Sequence, residues 1–343
     1  MNAPARPGYQ DLTPARVLDA LDAVGLRPDG RLLQLNSYEN RVHQAFLEDG
    51  RAVVTKFYRP GRWSDAQILE EHAFALELVE AEVPVVAPLA LPDLQTPGLQ
   101  LLSPGAGTAT LARWQVDGSE HRFSVSPRCA GREPELEQPD TLVRLGRFIG
   151  RLHAVGRRRP FSQRITLDPR TDGPAAIERV LALDMLTPHE RDPWIDAARR
   201  ALALAGAAFD AMQPLQRLRL HGDCHLGNVL WRDGPHVVDL DDACNGPAVQ
   251  DLWMLVSGDA TTMQAQLRLL LEGYDDFAEL DPRELRLIEP LRTLRMVRHS
   301  AWLAERWIDP AFPAAFPFFG SAAYWSQQTT QLREQIESMS DTP

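Results

Sequence analysis

One stretch of the chain, residues 215–252, constrains the fold more than any other. It contains two short apolar runs separated by the turn sequence RDGP, and this pattern predicts a β-hairpin. Asp223 and Asn228 precede the hairpin in a glycine-containing loop, and Asp239 follows its second strand. Because a hairpin holds the side chains at its ends rigidly, we expect these three polar residues to form a site.

The length and composition of the chain indicate an ordinary globular protein with two lobes. Its 343 residues exceed what one hydrophobic core usually covers, and 44% of them are apolar. The net charge of −11 argues against non-specific binding to nucleic acid or to anionic membranes, both of which need a basic surface. Without a signal core, a long apolar run or a disulfide pattern among its three cysteines, the chain is expected to be cytoplasmic. We also expect a monomer.

The first part of the chain is typical of a small sheet. Residues 41–47 and 51–58 form two strand-like runs joined by the sequence EDG, which indicates a hairpin. Lys56 lies in the middle of the second run among apolar neighbours. On this run alone, the favoured interpretation is an edge-strand lysine whose amine reaches water.

A helix is predicted from the capping-box sequence SDAQ at residues 64–67 to about residue 82. Two adjacent glutamates compete on it. Glu71 shares the spacing of the apolar residues Ile68 and Ala75, whereas Glu70 lies on a polar face. If one of the two turns inward to meet a cation, we expect it to be Glu71.

The remainder of the chain is mostly helical. A Pro/Gly-rich loop is expected at residues 91–107 and a linker at residues 127–140. We therefore predict an α+β protein with an N-lobe over residues 1–127 and a C-lobe over residues 128–343. Helical patterns occupy residues 142–156, 174–212, 247–272, 281–308 and 324–337.

The residue types at the predicted site favour phosphoryl transfer. Asp223, Asn228 and Asp239 offer only oxygen ligands, which suit Mg²⁺. Phosphoryl transfer needs a base for the acceptor hydroxyl, a metal ion on the phosphates and a further cation. Asp223 can serve as the base, and Lys56, oriented by Glu71, can serve as the cation.

These residues lie in segments that resemble a known family. Asp-x₄-Asn followed by a hairpin and a strand-terminal aspartate resembles the core of the protein-kinase-like fold, and HGD at residues 221–223 resembles aminoglycoside phosphotransferases and choline kinases. Over nearly the whole chain except residues 92–122, the sequence is similar to the stress response kinase A family of the YihE/RdoA type. The segments that carry this similarity are LNSYENRV, KFYRPGRW, ILEEHAFAL, LHGDCHLGNVLWRDGP, VDLDDACNGPAVQDLWML and DPAFP.

This resemblance implies a bacterial cytoplasmic serine/threonine protein kinase with a two-lobe, protein-kinase-like fold, and ATP and Mg²⁺ as cofactors. Asp223 would then accept the proton of the acceptor hydroxyl, and Asn228 and Asp239 would bind Mg²⁺. Lys56, paired with Glu71, would contact the α- and β-phosphates.

The chain departs from protein kinases at two positions that matter for the site. No Gly-x-Gly-x-x-Gly motif is present, and the turn at residues 36–40 reads NSYEN. Its backbone N–H groups and the Ser37 hydroxyl would have to cover the phosphates, and Ser37 is alternatively a target of self-phosphorylation. Gly222 replaces the arginine of the kinase HRD motif, and Asp251 resembles the buried aspartate that holds the catalytic loop.

The sequence leaves the acceptor open. A protein substrate follows from the resemblance alone, and a small hydroxyl-bearing molecule such as an aminoglycoside, a choline-like compound or a sugar is the alternative. A non-catalytic ATP-binding scaffold is a second alternative. It is disfavoured because Lys56, Asp223, Asn228 and Asp239 are all in place.

Overall fold

The computed structural model describes Tyr9 and residues 11–340. The other residues at the two ends, which include most of the segment inspected for a signal core and the outer ends of both predicted lobes, lie outside the described residues. Within the described part, no helix combines the length and the apolar composition that crossing a membrane requires.

Residues 14–127, about the first third of the chain, form one antiparallel sheet with a helix before it and another helix inserted into it. The strands follow the order β1-β2-β3-β6-β5-β4. The elements are α1 (Pro14–Ala23), β1 (Pro28–Gln34), β2 (Arg41–Leu47), β3 (Ala52–Phe57), α2 (Asp65–Glu80), β4 (Leu99–Leu102), β5 (Leu111–Val116) and β6 (Ser119–Pro127).

Two expectations about this sheet are wrong. Lys56 does not lie on an edge strand, because β6 returns from a distant part of the sequence and pairs with the open side of β3. The segment 91–107 is not entirely loop, because its residues 99–102 form β4 at the sheet edge. In both cases the pairing partner lies outside the local sequence window.

Helix α2 begins as predicted. The Ser64 hydroxyl accepts a hydrogen bond from the Gln67 backbone N–H at 3.3 Å, and the Gln67 side-chain oxygen accepts one from the Ser64 N–H at 2.9 Å. Glu71 is only 6% exposed, whereas Glu70 is partly exposed. The prediction that Glu71 is the glutamate that turns inward is confirmed.

The second half of the chain is largely helical and carries the predicted hairpin, β8 paired with β9. A second short pair, β7 with β10, flanks it. The α+β, two-lobe fold class is confirmed. The elements are α3 (Pro139–Gly156), α4 (Pro169–Ala182), α5 (Pro188–Ala211), β7 (Leu218–Leu220), β8 (Val229–Trp231), β9 (Pro235–Val237), β10 (Cys244–Gly246), α6 (Val249–Trp253), α7 (Ala260–Tyr274), α8 (Ile288–Arg306), α9 (Ala311–Ala315) and α10 (Ala322–Ser340).

Two large hydrophobic cores stabilise these parts of the chain. The smaller one packs α1 against the sheet and includes Leu21 and Phe123. The larger one joins the helices of the second half and also takes Phe74 and Leu78 of α2. A third, small cluster contains Ile68 of α2, so Glu71 lies on the helix between this cluster and the larger core. The lobe boundary after residue 127 stays a prediction, since α2 precedes it in sequence but packs against helices that follow it.

Candidate active site

The loop that precedes the hairpin is held by one buried carboxylate. Asp251 of α6 accepts hydrogen bonds from the backbone N–H groups of His221 at 2.8 Å and Gly222 at 2.9 Å. The ring Nε2 of His153 lies 3.1 Å from the same carboxylate. Two successive backbone N–H groups that share one buried acceptor fix the path of the loop. The expectation that Asp251 holds this loop is confirmed.

Gly222 occupies a position where no other residue fits. Its φ of +85° is in the left-handed region, and a Cβ atom added to it would lie 2.2 Å from the carbonyl oxygen of Asp242. The arginine that protein kinases carry here is therefore excluded by the backbone. The neighbouring His221 donates from Nε2 to the Val238 carbonyl at 3.0 Å, which ties the loop to the end of the hairpin.

Asp223 projects from this loop between two basic side chains. Arg295 of α8 donates from Nη1 to its Oδ1, and Nε2 of His225 lies 3.4 Å from its Oδ2. Burial alone would raise the pKa of Asp223, but the hydrogen bond with His225 and the charge of Arg295 outweigh it and hold the pKa well below its usual range. Asp223 is therefore a carboxylate at neutral pH.

Asn228 precedes the first strand of the hairpin and Asp239 follows the second, so both lie at its open end. The Val238 N–H donates to the Asn228 carbonyl at 3.0 Å, and the Asn228 amide nitrogen donates to the Asp223 carbonyl at 3.0 Å. This bond commits the amide nitrogen and leaves the side-chain oxygen of Asn228 for a ligand. Asp239 has a left-handed φ of 63°, and its side chain is 50% exposed.

Lys56 crosses from the sheet to the hairpin. Its Nζ lies 3.1 Å from Oδ1 of Asp239 and 3.8 Å from Oδ1 of Asp241. Burial would lower the pKa of Lys56, but the two carboxylates outweigh it and raise the pKa above its ordinary value. The structure thus brings a lysine from the first half of the chain to an aspartate in the second half.

Glu71 is close to this group without pairing with it. Among the described residues, the only basic nitrogen within 4 Å of its carboxylate is Nε2 of His72, at 3.7 Å. Burial lowers the pKa of His72 to about 3, so that ring is neutral. Burial also raises the pKa of Glu71 to about 7. The predicted Lys56–Glu71 ion pair is not formed here, because Asp239 and Asp241 draw the lysine away.

A network that sequence reasoning largely missed surrounds Asp241. This buried carboxylate accepts hydrogen bonds from Arg62 and, at 3.0 Å, from the Asn40 side chain. Arg62 also contacts Asp242 at 2.7 Å. Burial would raise the pKa of Asp241, but Arg62 and Lys56 outweigh it and lower the pKa. Asn40 and Arg62 stand in segments that carried the family resemblance, yet only the fold shows their shared partner.

A second set of ion pairs, also missed, joins the sheet to the end of α8; we call it the lobe clasp. Its members are Glu39, Arg41, Arg59, Arg306 and Asp309. Glu39 accepts from Nε of Arg306 at 2.9 Å, and Asp309 pairs with Arg41 at 3.0 Å and Arg59 at 2.9 Å. Each member is at most 14% exposed, so these pairs are shielded from solvent.

The turn at residues 36–40 contains Glu39 of the lobe clasp and makes further contacts around it. The ring of Tyr38 packs edge-on against Phe316 with 5.0 Å between centroids, and the Asn40 side-chain oxygen accepts from the Arg59 N–H at 3.1 Å. Ser37 lies in the same turn and is partly buried. The turn is therefore fixed on the C-terminal side of Ser37, whose predicted role stays a prediction.

The metal ligands predicted from the sequence are Asn228 and Asp239. Within residues 11–340 there is no group of three or more His, Cys, Asp or Glu side chains that could hold an ion. Asn228 and Asp239 offer one amide oxygen and one half-exposed carboxylate. A hard divalent cation that keeps water and phosphate oxygens as its other ligands fits such a pair.

Comparison with known proteins adds a family to this geometry. Residues 31–288 match the phosphotransferase enzyme family, APH. Stress response kinase A of Escherichia coli strain K12 is 42% identical over 343 residues, which covers 98% of this chain and 96% of the relative. The protein named serine/threonine protein kinase RdoA of Salmonella typhimurium strain LT2 is 43% identical over 337 residues, with the same coverage.

A solved structure agrees with the fold. Amicoumacin kinase hAmiN, in complex with AMP-PNP, Ca²⁺ and Ami, aligns with a TM-score of 0.65 over 95% of this chain and 94% of that one. The identity between the two is 18%, so this likeness concerns the fold alone.

Proposed function

We propose that this chain transfers the γ-phosphoryl group of ATP to serine or threonine hydroxyls of a protein substrate, with Mg²⁺ as its metal ion. The chain belongs to the APH phosphotransferase enzyme family. The observation that carries the proposal is the 3.1 Å contact between Lys56 and Asp239. It unites a phosphate-binding cation with a candidate metal ligand, next to the ionised Asp223. These are the parts that phosphoryl transfer uses.

Asp223 is the group proposed to receive the acceptor hydroxyl. Its carboxylate orients the O–H bond and takes the proton as the acceptor oxygen forms its bond to the γ-phosphorus. The bond between that phosphorus and the bridging oxygen breaks, and ADP leaves with the electron pair. The hydrogen bonds of Asp251 to His221 and Gly222 keep the base in place without motion of the backbone.

Lys56 is proposed to bind the α- and β-phosphates of ATP. In the structure Lys56 pairs with Asp239 and Asp241, so bound phosphates would compete with these two carboxylates for its charge. The buried carboxyl of Glu71 is then a partner that can ionise as Lys56 leaves Asp239, and this exchange frees Asp239 to act as a metal ligand. A divalent cation held by Asn228 and Asp239 would neutralise charge on the phosphates.

The turn at residues 36–40 is proposed to cover the phosphates in place of a glycine-rich loop, with its backbone N–H groups and the Ser37 hydroxyl as donors. Support comes from its position: Asn40 at the end of the turn binds Asp241, which neighbours Lys56. On this assignment residues 1–127 bind the nucleotide and residues 128–343 bind the acceptor. The cytoplasmic location and the monomeric state stay predictions from the sequence.

The test is transfer of labelled phosphate from ATP and Mg²⁺ to generic protein substrates, with a panel of amino alcohols and aminoglycosides in parallel. Asp223→Asn removes the proposed base. Asp233→Asn is the matched control, because Asp233 is exposed in the hairpin turn and has a φ of 57°, which asparagine adopts readily.

We expect label on serine or threonine with the wild type and with Asp233→Asn, and none with Asp223→Asn. Label on small molecules and none on protein would refute the protein-kinase assignment and leave the phosphotransferase chemistry standing. Binding of ATP with no transfer to any acceptor would point to the scaffold instead.

A further inference from the structure

One face of α8 lines the cleft from the proposed base to the turn over the phosphates. The residues of this face recur at alternating spacings of three and four, which places them on one side of a helix. At one end Arg295 binds Asp223, and at the other Arg306 binds Glu39. The face consists of Arg292, Arg295, His299, Trp302 and Arg306.

The end of this face beside Asp223 is cationic. Arg295 and His225 are the groups that meet the Asp223 carboxylate, and the guanidinium of Arg292 lies over the ring of Trp253 at 5.4 Å, one turn away. Among the described residues, no second carboxylate forms an ion pair with Arg295. Arg292 is paired with Glu289 at 3.5 Å, so the charge that an acceptor meets beside Asp223 is that of Arg295, which among the described residues only Asp223 balances.

Arg295 retains the capacity to bind a second anion. Its side chain is 43% exposed, compared with 24% for Asp223, and its described hydrogen bonds to Asp223 and to the Met254 sulfur both use Nη1. A guanidinium carries five N–H donors in a planar fork, so the remaining donors can face an incoming carboxylate. The net charge of −11 does not cancel this local field, because solvent ions screen charges beyond roughly 10 Å.

We propose that Arg295 determines acceptor specificity by binding a carboxylate next to the reacting hydroxyl, so that the enzyme prefers a serine or threonine with a neighbouring acidic residue. This inference rests on the proposed protein-kinase function. The acidic side chain shares Arg295 with Asp223 and guides the hydroxyl to the base. A polycationic or amino-alcohol acceptor meets like charge at the same place and is disfavoured.

The experiment compares three peptides that differ only in the residues beside a central serine: glutamate, alanine or lysine. The value of kcat/KM is measured for the wild type, Arg295→Gln, Arg295→Glu and Arg295→Lys. Arg286→Gln is the control variant, because Arg286 is exposed and lies before α8, so it removes the same charge outside the cleft. Thermal melts verify that every variant is folded.

For the wild type we expect a preference of about fivefold for the glutamate peptide over the lysine peptide, as one half-exposed ion pair would give, expressed mainly in KM. Arg295→Gln should remove the preference, Arg295→Glu should reverse it, and Arg295→Lys and Arg286→Gln should retain it. A merely structural role of Arg295 would lower activity on all three peptides alike and would not exchange their order.

Two results overturn the inference and are distinguishable from each other. If the wild type phosphorylates all three peptides equally, or if Arg295→Glu keeps the original order, the protein-kinase function stands and the role of Arg295 falls. If the wild type labels none of the peptides but labels amino alcohols or aminoglycosides, the protein-kinase function fails and the acceptor preference fails with it.

Discussion

Replacing Glu71 with glutamine tests whether ionisation of this buried carboxyl destabilises the folded protein. Glu71→Gln preserves the shape of the side chain and removes its ability to ionise. In the structure this carboxyl is buried, and Lys56 pairs with Asp239 and Asp241 instead of with it. We therefore expect the variant to be more stable than the wild type at alkaline pH and less active as a phosphotransferase.

The magnitude follows from the pKa of Glu71, which burial raises from 4.5 to about 7. The folded state binds this proton more tightly than the unfolded state, so the stabilisation by the protonated carboxyl is lost as pH rises through this range. The loss at pH 8 is about 3 kcal/mol and at pH 5 under about 1 kcal/mol. Glutamine cannot ionise and keeps this stability. The free energy of unfolding of the variant, relative to that of the wild type, should therefore be about 2 kcal/mol higher at pH 8 than at pH 5.

The assay is equilibrium denaturation of both proteins at pH 5 and pH 8. Glu70→Gln is the matched control on the next residue. Burial would raise the pKa of Glu70, but hydrogen bonds from the Ser162, Arg164 and Gln163 N–H groups lower it. Its stabilisation is therefore present above pH 4.5, and this variant should be destabilised at both pH values.

A pH-independent difference between Glu71→Gln and the wild type would refute the reasoning, since it would mean that Glu71 is already ionised in the folded protein. Activity adds a second criterion. If Glu71 receives Lys56 when ATP binds, kcat/KM for ATP should fall in the glutamine variant although its stability rises. Unchanged activity would exclude that exchange.

Three further substitutions probe how the site is held. Gly222→Ala should cost more than about 2 kcal/mol of stability in denaturation and abolish transfer, because its Cβ would clash with the Asp242 carbonyl. The control is Gly30→Ala, where φ is +93° and the space around the Cβ is open, so it should cost only the conformational strain of about 1–2 kcal/mol. Asp251→Asn should cost about 2–4 kcal/mol in the same assay, because one acceptor oxygen is replaced by a donor that faces an N–H group. Glu39→Gln should raise KM for ATP about fivefold, the effect of about 1 kcal/mol, and a KM equal to that of the wild type would argue against the lobe clasp as a support of the turn.

The parts of the site that the sequence predicted well are those that local patterns encode. The hairpin, the capping box at Ser64 and the inward turn of Glu71 each depend on spacing within a few residues, and each is confirmed. The position of Lys56 was misjudged for the converse reason. Its strand is central because β6, nearly seventy residues further along the chain, pairs with it.

The same limit explains why Arg295 was missed. An arginine on a helix that carries several is most simply a solvated side chain, and nothing within α8 indicates its partner in a loop 72 residues earlier. Charged pairs between distant segments carry no periodicity. The segments that resembled the kinase family contained Asn40 and Arg62, but resemblance named no contact for either, and the shared partner Asp241 emerged only from the fold.

The lobe clasp and the Asp241 network together account for the absence of a glycine-rich loop. Glycines allow a phosphate-covering loop to approach its ligand by giving the backbone freedom. In this chain the turn at residues 36–40 is fixed from outside instead: Asn40 binds Asp241 at 3.0 Å, and Glu39 binds Arg306 at 2.9 Å. Both partners belong to the second half of the chain, so the turn takes its place only when the halves are together. On the proposed assignment, the side chains that join the two parts of the chain also hold the turn that covers the phosphates.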